Sequence, residues 1–275
     1  MTENEEKLYY TAIQESPDRS TTPPTSPPPE IIIANQINLS HVDALNHPTI
    51  IMCEMTPPEI RQNFIRKVYT TLWLQLLFTC SGIAMTKSFS DISHFLITPV
   101  GISLTYLSTI IMIISLCSFL CCHTTLREHP YDKLFLIIFT FVTTYSLCFI
   151  SVFYETQILL LGGLSTLGIF SGLSLYAIQT KVDYTTCGNT LCILLFGMIF
   201  FGVLLPTHSS IIQISYSVGG AVLFSFYIIY DTQMIMGDPT RKIRFRNDDY
   251  ALAAVSLYLD LVNMFLYMLD ILNGR

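Results

Sequence analysis

Seven apolar runs govern what this chain can fold into. They lie at 68–86, 97–122, 134–153, 158–178, 190–206, 211–236 and 251–272, parted by short polar connections. Each approaches the ~20 residues that a helix needs to cross about 30 Å of hydrocarbon. Open strands would leave unpaired backbone groups facing lipid, whereas a helix satisfies its own. The expected fold is therefore an all-α integral membrane protein with seven transmembrane helices. Only Tyr154-Glu155-Thr156-Gln157 separates the third run from the fourth, which requires a tight antiparallel hairpin. Composition agrees: 12% of the residues are charged, against roughly 25% in soluble domains. With 14 Lys+Arg against 20 Asp+Glu, the chain has no basic patch of the nucleic-acid type.

The first 58 residues stand apart from that membrane body. They hold nine of the 13 prolines, including Pro23-Pro24 and Pro27-Pro28-Pro29. Such a segment buries too little apolar surface to offset its ordering entropy. The expected organisation is a disordered, proline-rich cytosolic tail over 1–58 and a seven-helix transmembrane domain over 59–275. No basic start precedes an apolar core, so the tail does not read as a cleavable signal peptide. Ser16-Pro17, Thr22-Pro23 and Ser26-Pro27 are candidate proline-directed phosphorylation sites. The proline cluster is a candidate ligand for proline-reading modules; a solvated spacer is the simpler role.

Lys and Arg set the expected orientation. With the N-terminus in the cytosol, the cytosolic segments carry Arg61, Arg66, Lys67, Arg127, Lys133, Lys181, Arg241, Lys242, Arg244 and Arg246. The opposite side carries Lys87 and Arg275. Ten against two is a strong positive-inside bias. It argues against a seven-helix receptor of the G-protein-coupled kind, and it leaves the sequon Asn38-Leu39-Ser40 on the side where no glycan is added. None of the eight cysteines falls in a lumenal connection, so no disulfide framework is expected. Cys121-Cys122, at the membrane edge, are equally candidates for acylation and for buried thiols.

Two carboxylates stand out because hydrocarbon penalises them. An aspartate near a helix centre costs about 2.5–3.5 kcal/mol on insertion scales, so it faces protein or water. Asp231 lies six residues before Gly237, about 9 Å from that helix end, and Asp260 lies about nine residues, or ~14 Å, into the last run. The two can therefore share a depth. Ser256, Asp260, Asn263, Tyr267 and Asp270 recur at helical spacing as one polar stripe on the last helix. Gly220, Phe224, Tyr227 and Asp231 share one face of the sixth. Carboxylates in contact cannot both ionise cheaply and titrate as a pair, so Asp231 and Asp260 form a candidate pH-responsive latch. Hydrogen bonding within a bundle is the plainer role for both. Asp270 is expected at the lumenal interface. Glu155, in the hairpin, is a single oxygen ligand able to attract calcium or simply to face water. Thr105, Ser108, Thr109 and Ser115 are the polar residues with which the second helix can line a path. Asn247 or Asp248 is expected to cap the last helix, and Gly168-Ile169-Phe170-Ser171-Gly172 to allow close helix packing. No zinc signature, phosphate loop or triad spacing is present, so neither a metal centre nor an enzyme is expected.

Specific strings carry more than composition. They are Ile60-Arg61-Gln62-Asn63-Phe64-Ile65-Arg66-Lys67-Val68-Tyr69 with Gln75 and Thr79, Arg127-Glu128-His129-Pro130-Tyr131, and Gln179 to Cys187. Tyr230-Asp231-Thr232-Gln233-Met234-Ile235-Met236-Gly237, Asp248-Asp249-Tyr250-Ala251 and Leu257 to Leu266 complete the set. In this order and spacing the chain resembles the Bax inhibitor family of transmembrane proteins carrying the Bax-inhibitor motif, most closely its Lifeguard and Golgi anti-apoptotic branch. The resemblance covers roughly residues 60–272. It implies seven helices with the C-terminal one central in the bundle. It also implies a calcium leak, pH-sensitive through Asp231 and Asp260, across Golgi or endoplasmic reticulum membranes, which modulates calcium stores and restrains apoptosis. Arg127 would pair with the two carboxylates, as a basic residue near this position does in some relatives. The partners implied are the lipid bilayer, calcium as the permeant ion rather than a cofactor, and apoptosis regulators. The competing function is a non-conducting adaptor that acts on death signalling or receptors through the tail and cytosolic loops.

The charge bias yields a topology test. An epitope at residue 20 should be reached by antibody after selective plasma-membrane permeabilisation that leaves internal membranes sealed, while one between Pro206 and Ile211 stays hidden. The opposite pattern would invert the orientation.

Overall fold

The computed structural model describes residues 58–121, 131–204, 210–237, 245–246 and 249–274. All of the described secondary structure is helical: α1 (Pro58–Ser88), α2 (Ser90–Ile97), α3 (Pro99–Cys121), α4 (Tyr131–Ser151), α5 (Thr156–Gln179), a 3-10 turn (Tyr184–Cys187), α6 (Gly188–Leu204), α7 (Ser210–Met236) and α8 (Tyr250–Asn273). Six helices are long and apolar enough to span a membrane, and α2 with α3 makes a seventh when the bent pair is taken as one span. The tail expected over 1–58 lies outside the described residues except for Pro58, which opens α1 at the position where proline is pre-organised.

Two boundaries depart from the apolar runs. The first helix begins at Pro58 rather than 68, because Phe64, Val68 and Leu72 form one buried stripe that continues helix through the charged residues between them. Hydropathy registers only the lipid-facing part of such a helix. The second run is not one straight helix. α2 and α3 meet at 74°, with Thr98 extended at φ −65, ψ 159 as the residue before a proline must be. Thr98 donates to Phe95 O at 2.6 Å and accepts from Gly101 N at 3.2 Å. A Cβ on Gly101 would lie 2.3 Å from Phe95 O, so the bend needs glycine there.

α8 is the axis of the bundle. It packs against α7, α1, α5 and α4, while α3 packs on α4 and α6 on α7. Ala251 to Val255, Leu257, Tyr258, Leu261, Val262, Met264 and Leu269 bury several of its faces, as a helix surrounded by helices requires. The outer surface is the reverse: Trp73, Leu77, Ile193, Phe200 and Val203 are exposed, a display of large apolar side chains that suits lipid and not water. The α4–α5 hairpin closes through Val152–Glu155, and Lys87 Nζ donates to Tyr154 O at 2.6 Å, tying the end of α1 to it.

Arg61 fastens the opposite end. Its guanidinium donates to Met234 O (2.7 Å), Ile235 O (2.6 Å) and Met236 O (3.3 Å), the last carbonyls of α7, and to Phe245 O (2.7 Å). A cation on these carbonyls satisfies acceptors that no helical N–H can reach and opposes the helix dipole. Gly237 follows with φ +58, and a Cβ there would meet Arg61 Nη2 at 2.3 Å. Asp249 is the N-cap position of α8 but makes no side-chain capping bond; the expected caps Asn247 and Asp248 lie outside the described residues. Gly168 and Gly172 are exposed, and a Cβ on either would touch nothing. The close helix contact on α5 falls instead at Gly162, where a Cβ would lie 2.8 Å from Leu269.

Arg61→Ala should lower stability toward denaturant in detergent by about 2–4 kcal/mol, as expected for several charge-assisted bonds lost at once. Arg66→Ala, on an exposed residue of the same helix, should change it by less than about 0.5 kcal/mol.

Candidate functional site

The Tyr230-Asp231-Thr232-Gln233 string is a hub because a helix sends four consecutive side chains in four directions. Tyr230 lies against Gly188 of α6, where a Cβ would come within 2.7 Å of its hydroxyl. Thr232 Oγ1 lies 3.5 Å from Ser174 Oγ of α5, and the Tyr69 hydroxyl of α1 joins both. Gln233, fully buried, accepts from Tyr184 N at 2.9 Å and donates to Val182 O at 3.0 Å, holding the α5–α6 connection. Asp231 points to α8.

There it meets Asp260. The two carboxyl groups face each other across the α7–α8 seam, close enough for each to act on the other's ionisation, and they are 4% and 3% exposed. Two ionised carboxylates side by side are acceptors only and repel, and a proton shared between them removes that repulsion. Ser256 Oγ donates to Asp231 Oδ2, while Asp260 Oδ2 has no hydrogen-bond partner among the described residues. Tyr227 and Tyr230 of α7 are titratable groups within electrostatic reach of the pair, and Cys192 of α6 lies near Tyr227. Among the described residues, no basic side chain contacts either carboxyl. Arg127 lies outside them.

The rest of the expected stripe divides. Tyr267 packs edge to edge with the Gly220 face of α7: a Cβ on Gly220 would lie 2.4 Å from its ring, and the Phe224 ring centroid is 5.9 Å away. Only glycine lets α7 come so close to α8 at this point. Asp270, ten residues or about 15 Å beyond Asp260, accepts from Tyr154 Oη at 2.9 Å and from Ser217 Oγ at 3.3 Å. Burial, and then this bond to a carboxylate, push the Tyr154 phenol up to about 12. Asn263 turns back and donates to Leu259 O of its own helix at 2.8 Å, so it does not support the pair. Glu155 is exposed as the N-cap position of α5, with no capping bond. On α3, Thr105 and Thr109 bond their own helix, and Ser108 meets Ser146 of α4 at 3.0 Å. These hydroxyls lie on a helix that packs on α4, not at the carboxyl pair.

A second polar cluster grips the other side of α8, and the sequence reading did not assign it. Thr79 has one hydroxyl proton, which goes to Gln75 O at 2.9 Å. Tyr258 of α8 and Thr144 of α4, at 2.7 and 3.0 Å, therefore donate to Thr79 Oγ1. One turn away Gln75 Nε2 donates to Thr140 Oγ1 at 2.8 Å. Gln75 and Thr79 at i and i+4, opposite Thr140 and Thr144 at the same spacing, were the available signal. Among the described residues no group of three or more His, Cys, Asp or Glu is placed to hold a metal ion.

The hub, the carboxyl pair and the seam lie within the region that relatives share. A family model described as Bax1-I, inhibitor of apoptosis-promoting Bax1, matches residues 61–275. Protein lifeguard 3 of Homo sapiens is 28% identical over 222 residues, which are 79% of this chain and 70% of that relative. Protein lifeguard 4 of Mus musculus is 33% identical over 225 residues, 78% of this chain and 86% of the relative. The match runs from Arg61, which fastens α7, through both carboxyl helices to the end of α8, and so this multi-pass membrane protein belongs to the Bax inhibitor family.

Proposed function

We propose that the chain is a calcium leak of an intracellular membrane, Golgi or endoplasmic reticulum, that responds to pH through Asp231 and Asp260 and restrains apoptosis by limiting stored calcium. The observation that carries this reading is the pair of buried carboxyls in contact within a membrane bundle. A purely structural bundle gains nothing from such a pair, because hydrocarbon-buried ionisable groups are expensive. The printed description of the matching family, inhibitor of apoptosis-promoting Bax1, supports the cellular role. The basic residues favour a cytosolic N-terminus. That puts the Arg61 end of the bundle in the cytosol and the Asp270 end in the lumen.

On this reading the proton shared by the pair is the switch. With one proton, Asp231 and Asp260 hold α7 to α8 by a hydrogen bond. With none, two adjacent negative charges repel across the seam and attract a cation into it. With two, the pair is neutral and still hydrogen-bonded. The coupled groups lose their two protons in two steps, each belonging to the pair and neither to one aspartate alone.

Purified protein in liposomes loaded with a calcium reporter tests the reading. Wild type should show a pH-dependent flux. Asp231→Asn and Asp260→Asn should each flatten that dependence, and the double variant should add little, with a coupling of about 1 kcal/mol or more between the two sites. Asp270→Asn should leave the pH dependence in place, since Asp270 is bonded elsewhere. Identical profiles in wild type and both single variants would return the aspartates to a structural role. Absence of any flux from folded wild type, with death protection retained in cells, would favour the non-conducting adaptor.

A further inference from the structure

α1 and α5 both pack on α8 but leave a gap between themselves. The gap is a groove of about 150 Å³. Its floor is Val262 and Phe265 of α8, and its walls include Trp73 and Leu77 of α1 and Gly163 and Leu167 of α5. Trp73, Leu77 and Leu167 are also exposed on the outer surface, so the groove opens sideways into the bilayer rather than toward either aqueous face.

We propose that this groove seats an acyl chain of a bilayer phospholipid, lodged between α1 and α5 against the back of α8. Three observations select that occupant. The accessible wall is wholly apolar. Its hydroxyl groups are already engaged: Thr79 in the cluster with Gln75 and Tyr258, and Thr166 on Gly162 O at 2.8 Å. Water needs two to four polar partners and finds none, while apolar cavities of about this volume stay dry and accept a benzene-sized hydrocarbon. The only medium at the opening is lipid tail. A chain in the groove touches protein on three sides, whereas one on the flat outer surface touches it on one, so dispersion contacts favour the seat. Gly163 leaves it open: a Cβ there would meet nothing within 4 Å.

The site needs no ion flux to be tested, so its failure and that of the leak are separable. Wild-type protein exchanged into mild detergent should carry about one phospholipid per chain in native mass spectrometry, as expected for a single seat. Gly163→Phe, which puts a ring into the groove, should lose it, and Leu160→Phe, on an exposed residue of the same helix, should keep it. Trp73 is the chain's one tryptophan, so its fluorescence in vesicles of phosphatidylcholine brominated at mid-chain gives a second readout. Quenching should be weaker in Gly163→Phe than in wild type; Gly163→Leu serves if the larger ring impairs folding. Folded wild type that retains no phospholipid overturns the proposal without recourse to any variant. Equal retention and equal quenching in wild type and both Gly163 variants overturns it as well. Wild-type dimers that carry no lipid and dissociate on Gly163→Phe would assign the groove to a second copy of the chain instead.

Discussion

Inside a bilayer there is no water to satisfy a polar group, and α8 is the helix on which this chain concentrates that problem. Asp260 is placed there facing Asp231 of α7, and burial raises the cost of ionising either carboxyl. Much of the fold serves that contact. Gly220 brings α7 within reach, Ser256 satisfies one oxygen of Asp231, and α1, α4 and α5 complete the apolar wall around α8. An aspartate facing lipid instead would carry a penalty of about 2.5–3.5 kcal/mol by insertion scales, a large share of the stability of any membrane bundle.

α8 is gripped on two sides at nearly one depth. Tyr258 bonds Thr79 of α1 toward the α4 side, and two residues on Asp260 faces Asp231 of α7. Two residues advance a helix by about 3 Å and turn it by ~200°, which puts these grips on opposite faces. They differ in chemistry. The Tyr258–Thr79–Thr144 cluster is built from hydroxyls and presents no carboxylate, so its bonds do not depend on a proton entering or leaving between pH 5 and 8. The carboxyl pair is a coupled acid. One side of the axis is therefore fixed in charge, and on the proposed function the other is the responsive one.

Hydropathy and the cost of buried charge made the spans, the hairpin and the two aspartates legible. Both act locally or through one strong penalty. The bend at Thr98 was written in Pro99 but masked by an unbroken apolar run. The early start of α1 was masked by Arg61, Arg66 and Lys67, although Phe64 and Val68 keep helical spacing beneath them. Arg61 looked like a topology charge and proved to be a cap for a helix some 170 residues away, a relation that no local pattern encodes. Asn263 shows the converse. It lies on the polar stripe by spacing, yet an amide can satisfy itself on its own helix, and it bonds Leu259 O rather than the pair. Gly168 and Gly172 have the spacing of a packing motif and face outward, because spacing identifies a face without naming its neighbour.

The geometry also limits what a proton can do to this seam. At one end Arg61 ties the last carbonyls of α7 to the approach to α8, and that tie begins only three residues, about 4.5 Å, beyond Asp231. At the other end Tyr154 and Ser217 both hold Asp270, and Gly274 sits against Ile214, where a Cβ would lie 2.9 Å away. On the proposed function, loss of a proton from the pair acts on a seam pinned above and below. Repulsion between Asp231 and Asp260 is relieved by bending or rotation of the middle of α7, not by separation of whole helices. On that reading, the path that protonation controls lies along α7 between its two ties, on the helix that α5 and α6 both pack against.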